Sequence, residues 1–235
     1  MKWRALLAGV SAACVAGAAH AYSDPAQFDA PALEAGGGGR FYTGSVADAY
    51  TCESCHTGGS NARVTVSGIP ARYVPGATYT IRVDWPLSLE HAAVSFEVTD
   101  ERGRGAGSLQ LPPPDQRVDR ELCEPSDQGV LAAALYPADR ERQIAAAGDC
   151  GAHSIRAQWT APRGKASAVW LTGAVLASNH DGELSGDGVT TFSERVPAFA
   201  EELLDATGEG SCAVVSGVGI GGSSALGFAC ALLAL

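Results

Sequence analysis

The sequence predicts a mainly β chain folded as an antiparallel sandwich, with a loop-rich N-terminal segment and an apolar C-terminal helix. Three observations predict it. Several short runs alternate apolar and polar residues with a period of two. Turns rich in glycine and proline separate those runs. No helix-period segment follows the runs in the way a parallel sheet requires.

The elements follow in order. Tyr79, Ile81, Val83 and Trp85 alternate with Thr78, Thr80, Arg82 and Asp84, which predicts one apolar strand face. Val94, Phe96 and Val98 alternate with Ser95, Glu97 and Thr99. Ser108 to Leu111 forms a short candidate strand, and Ile155, Ala157 and Trp159 alternate with Arg156 and Gln158. Ala168 to Ala177 is almost continuously apolar, as suits a central strand covered on both faces. Gly188 to Val196 supplies a last strand. Val74-Pro75-Gly76, Asp100 to Gly103, Pro112 to Pro114, Ala161 to Gly164 and Asp181-Gly182 supply turn chemistry.

The two ends read differently from the middle. Lys2 and Arg4 precede an apolar run from Ala5 to Ala19, and Ala19-His20-Ala21 is a small-x-small exit. This is the pattern of a secretory signal peptide over 1–21, too short to span a bilayer comfortably. The segment 22–61 is loop-like and 62–196 is the sandwich. A short helix and a flexible hinge occupy 197–211, with Glu201 to Asp205 as the helix. Residues 212–235 carry no charge and are long enough to cross a membrane as a helix. They are expected to anchor the chain in the cell envelope or to act as a processed sorting signal. Gly217-Val-Gly219-Ile-Gly221-Gly222 is formally GxGxxG, but no strand precedes it and no acid follows, so no dinucleotide site is expected.

Removing the first 21 residues leaves 14 basic residues against 26 acidic ones, a formal charge of about −12. Such a surface repels phosphate backbones, and nucleic acid is excluded as a partner.

Six cysteines lie beyond the signal peptide. Cys52 and Cys55 belong to Cys-Glu-Ser-Cys-His, the attachment motif of c-type haem. Two thiols three residues apart reach two vinyl groups on one porphyrin edge, and His56 offers its imidazole to the iron. Haem attachment takes place after export, in agreement with the leader. The alternative is a local Cys52–Cys55 disulfide with His56 incidental. Met1 is the only methionine, so the mature chain cannot use His/Met ligation. His91, His153 and His180 are the remaining candidates for a sixth ligand, or the position is open. Cys123 and Cys150 are expected to form a disulfide, given an oxidising compartment, with a pair of free thiols as the alternative. The disulfide would close a loop of about 28 residues and stabilise by about 3–4 kcal/mol in the chain-entropy model.

Several stretches together resemble the reeler (reelin-type) domain and its bacterial choice-of-anchor V relatives. They are Val64 to Pro70, Tyr73 to Ile81, Val94 to Asp100, Gly103 to Gly107, and Gln158 to Pro162 ahead of the Val169 to Ala177 strand. In those relatives a CxxCH followed by Gly-Gly precedes the sandwich, as Cys52 to Gly59 do here. The tail resembles myxobacterial C-terminal sorting signals (MYXO-CTERM), in which a cysteine at the position of Cys212 opens the apolar segment; the terminal arginine cluster of those signals is lacking here. The resemblance implies an Ig-like sandwich at the cell surface.

No GxSxG, HExxH or P-loop is present, and no enzyme activity is expected. Asp181, Glu183 and Asp187 lie in a glycine-bearing turn, but the twelfth position counted from Asp181 is Phe192 where a calcium loop needs Glu. A turn with side-chain caps is expected there. Two functional classes lead, and a haem-based peroxidase or sensor with an open sixth position is a third. One is a surface-anchored sandwich with one covalent haem c and an electron-transfer or redox role with a redox partner. The other is a haem-free adhesion or matrix-binding module.

Overall fold

A computed structural model describes residues 28, 30, 31, 36–89, 91–120, 131–150, 152–164, 167–179, 181 and 183–199. The signal peptide, Cys123, His180, the predicted helix at Glu201 to Asp205, and the tail with Cys212 lie outside the described residues.

The strands are β1 (Thr57–Gly58), β2 (Thr65–Ser67), β3 (Thr78–Asp84), β4 (His91–Thr99), β5 (Ser108–Gln110), β6 (Val118–Arg120), β7 (Leu131–Pro137), β8 (Gln143–Cys150), β9 (Ala152–Thr160), β10 (Val169–Ala177) and β11 (Ser185–Val196). They form two sheets. One has the order β1-β11-β10-β4-β8-β7; the other runs β2-β3-β9-β5, with β6 also paired to β9. The fold is the mainly β sandwich that the alternation predicts. Pairing is antiparallel except for β1, which joins β11 in parallel.

The core lies between the sheets. From β3 it takes Ile81 and Val83, from β4 Val94, Phe96 and Val98, from β9 Ile155 and Trp159, and from β10 Leu171 and Val175. Burial of each such side chain is worth about 1.5–3 kcal/mol. Trp159 is fully buried, and its indole N–H donates to the Ala106 carbonyl at 2.8 Å, so its one polar atom is satisfied. β10 is central, flanked by β11 and β4, as its continuous apolar run suggests.

Ser95, Glu97 and Thr99 alternate with apolar residues along β4. All three are buried, Glu97 at 0% exposure. The reason is a third layer: the chain over 36–60 packs on the outer face of the six-stranded sheet. Phe28 and Phe41 cover Tyr136, Ile144 and Ala146, and Cys52 packs with Ala93, Ala174, Leu176 and Val189. Ser95 Oγ donates to the Phe41 carbonyl at 3.2 Å.

An ion cluster seals that layer. Arg142 donates through Nε and Nη2 to the two oxygens of Glu97, each at 2.7 Å, and its Nη2 lies 3.0 Å from Asp48 Oδ1. Asp48 also accepts from the backbone N–H of Thr43 at 2.9 Å and of Phe41 at 3.1 Å, and Thr43 Oγ1 donates to Glu97. Burial alone would lower the Arg142 pKa; the hydrogen bonds and charge of Glu97, then those of Asp48, hold it above its ordinary value.

Candidate functional site

The chain reaches the Cys-x-x-Cys-His motif through a small hairpin. Thr43 and Thr51 bridge antiparallel, and the Gly44 N–H donates to the Tyr50 carbonyl at 2.9 Å. Tyr42 and Ala49 adopt φ of 55° and 59°, left-handed values that are costly for residues with a Cβ. Val46 and Tyr50 stand exposed in the same hairpin, with the Arg40 guanidinium 4.1 Å above the Tyr50 ring.

The motif itself is a single 3₁₀ turn, Cys52–Ser54. The N–H groups of Cys55 and His56 both donate to the Cys52 carbonyl, at 3.2 Å and 2.9 Å. Cys52 opens the turn and Cys55 closes it as its C-cap, with φ −125° and ψ −42°. The two cysteines are free, Cys55 exposed and Cys52 partly buried. Burial pushes the Cys52 thiol up to about 12. Thiol–disulfide exchange works through a depressed pKa, which Cys52 lacks. Tyr42 lies beside the motif; its phenol is raised by burial first and then by the charge of Cys55.

His56 is tied down. Its Nδ1 lies 2.6 Å from Asp187 Oδ2. A carboxylate can only accept, so Nδ1 carries the proton and donates. Nε2 has no hydrogen-bond partner among the described residues. Asp187 is 2% exposed, and its other oxygen accepts the Asn179 backbone N–H at 2.9 Å.

Glycines allow this contact between residues 131 positions apart. Thr57 and Gly58 pair with Ser185 and Asp187, and the Gly59 N–H donates to the Asp187 carbonyl at 3.0 Å. A Cβ at Gly59 would lie 2.4 Å from the Asp187 backbone, and one at Gly188 would lie 2.0 Å from the Ser60 carbonyl oxygen. Only glycine permits two backbones so close.

The loop before β11 is a capped turn, as its composition predicts. Asn179 Oδ1 accepts from the Asp181 N–H at 3.2 Å, and Asp181 Oδ1 from the Glu183 N–H at 2.8 Å. Among the described residues, no group of three or more His, Cys, Asp or Glu side chains is placed to hold a metal ion. Sequence reasoning treated Asp187 only as a member of that turn. Gly188 beside Asp187, matching Gly59 in its need for close backbone approach, is the signal that marks it.

The remaining site residues separate. His91 begins β4, and its carbonyl accepts the Ser178 N–H at 2.9 Å, next to Asn179, whose N–H binds Asp187. His153 lies on β9 of the opposite sheet. Cys150 ends β8, paired in register with His91; its side chain, like Cys123, lies outside what is described.

The donor set suits a covalent c-type haem. Two cysteines share one turn, and the adjacent imidazole has one nitrogen engaged and the other available. A metal-bound histidine commonly donates its second ring N–H to a carboxylate.

No family model matches the chain, and no curated protein matches it. Among solved structures it is similar to the Reelin-N domain of F-spondin, at 14% identity and TM-score 0.39, over 63% of this chain and 94% of that one. It is similar to the human F-spondin reeler domain at 14% identity and TM-score 0.36, over 61% and 92%. It is also similar to AggA, the major subunit of aggregative adherence fimbriae type I from Escherichia coli. That likeness has 10% identity and TM-score 0.28, over 61% and 98%. Likeness at this level assigns no activity, ligand or location.

Proposed function

We propose that the chain is an exported β-sandwich protein that carries one covalent haem c and passes electrons at the cell envelope. The observation that carries this reading is the His56–Asp187 contact: a buried carboxylate holds Nδ1 and leaves Nε2 for iron. In this reading the sulfurs of Cys52 and Cys55 would hold the macrocycle and the His56 imidazole would ligate the iron. Haem, once attached, supplies a one-electron redox centre. The chain's own part is to hold the ring of His56 in one orientation and to seat Cys52 against Ala174, Leu176 and Val189. Export through the 1–21 leader and tethering near Cys212 belong to the same proposal.

The experiment is expression in a host with haem-attachment machinery. A Soret band that survives acid–acetone extraction, and that Cys52→Ala together with Cys55→Ala abolishes, is the expected result. A colourless wild-type preparation from that host overturns the haem reading. A haem-free extracellular binding module with a Cys52–Cys55 disulfide would then be the standing alternative.

A further inference from the structure

We infer that Asp187 is a positioning residue that sets the electronic character of the iron through His56, holding the reduction potential low. The inference rests on the haem reading above and names what regulates that site.

The geometry has three parts. The Nδ1–Oδ2 distance of 2.6 Å is that of a short, charge-assisted hydrogen bond. Asp187 is buried, at 2% exposure, so its charge acts with little screening by water. Its position is over-determined: the Asn179 N–H binds its second oxygen, and its backbone carbonyl accepts from Gly59 three residues after His56. A carboxylate that accepts from Nδ1–H makes the imidazole a stronger donor at Nε2. A stronger donor stabilises the oxidised iron more than the reduced iron, and the potential falls. A neutral acceptor in the same place would orient the ring without this effect, so the charge of Asp187 is the part that matters.

Asp187→Asn separates the two roles, because it retains an acceptor oxygen and nearly the same volume while removing the charge. The midpoint potential of the full-length haem-bearing chain is measured by spectroelectrochemical titration at one fixed pH. Glu101→Gln, which removes an exposed charge on a distant turn, is the control. The expected result is a potential raised in Asp187→Asn and unchanged in Glu101→Gln. Equal potentials in Asp187→Asn and wild type, with haem retained, overturn the role of Asp187 and leave the haem reading standing. A colourless wild type overturns both. Should Asp187→Asn fail to accumulate, the wild type supplies its own readout. In the ferrous, CO-bound protein the His56 Nδ1–H proton resonance should lie well downfield of an imidazole bound to a peptide carbonyl. A resonance at the carbonyl-bound position overturns the inference.

Discussion

Arg142 holds both oxygens of Glu97 at 2.7 Å although each side chain is 1% exposed. The pair lies beneath the segment that carries the motif, and Asp48 of that segment completes it at 3.0 Å. The consequence is mechanical. The third layer is fastened to the six-stranded sheet by one guanidinium shared between a sheet carboxylate and a loop carboxylate. Arg142→Met leaves Glu97 and Asp48 buried without their cation, which costs about 3–5 kcal/mol. Urea unfolding should show that loss. Limited proteolysis should also cut within residues 36–60 of the variant before it cuts the sandwich; uncut variant of unchanged midpoint would refute the fastening.

The approach of β1 to β11 sets a second expectation. Gly59→Ala forces a Cβ to within 2.4 Å of the Asp187 backbone, and backbone cannot yield as a flexible side chain does. Overpacking of this kind costs about 1–3 kcal/mol. The variant should lose stability and detach His56 from Asp187. The second effect is read as faster hydrogen exchange at the amide of position 59, which in the wild type donates to the Asp187 carbonyl. Unchanged exchange would show that the strands separate and re-pair without these glycines.

Thr172 offers a change in the opposite direction. Its Oγ1 is the one buried side-chain polar atom among the described residues with no hydrogen-bond partner. It sits on β10 in register with Glu97, under the same third layer. Thr172→Val keeps the shape and removes the orphaned hydroxyl, whose desolvation costs about 1–3 kcal/mol. Thermal unfolding should move upward by a few degrees, as about 1 kcal/mol does in a domain of this size. A lower midpoint would mean that the hydroxyl is satisfied, by water or otherwise.

These sites also show what the sequence could and could not reveal. β3 and β9 were legible because Ile81, Val83, Ile155 and Trp159 alternate with polar residues that remain accessible or are paired in the sheet. β7 and β8 were not legible. Ala145 and Ala147 face the core while Ile144 and Ala146 face the third layer, so no polar face marks a period of two. Alanine is also depleted in strands. Nothing local marks Glu97 as buried, because its cation lies 45 positions away, at Arg142. The motif at Cys52 to His56 was plain from spacing. Its anchor was not, since a carboxylate 131 residues distant carries no local signal.

The two cysteines of the motif differ in a way that chemistry can read directly. Cys55 is exposed, whereas burial holds the Cys52 thiol protonated up to about 12. In haem-free, reduced protein at mild alkaline pH, iodoacetamide should therefore alkylate Cys55 well before Cys52, as peptide mass spectrometry would record. The same burial ties stability to pH. In the unfolded chain Cys52 ionises near its ordinary value of 9.0, and in the folded chain only near 12. The folded-state value is the higher, so the stabilisation is fully present below about pH 9 and is lost as pH rises toward 12. Once the sulfur is a thioether it has no proton to lose, and this alkaline loss should vanish from the haem-bearing chain. Comparing unfolding midpoints of the two forms across that window tests the burial and the linkage together. Equal alkylation rates would place the Cys52 sulfur in solvent. An alkaline loss of equal size in both forms would assign it to other groups.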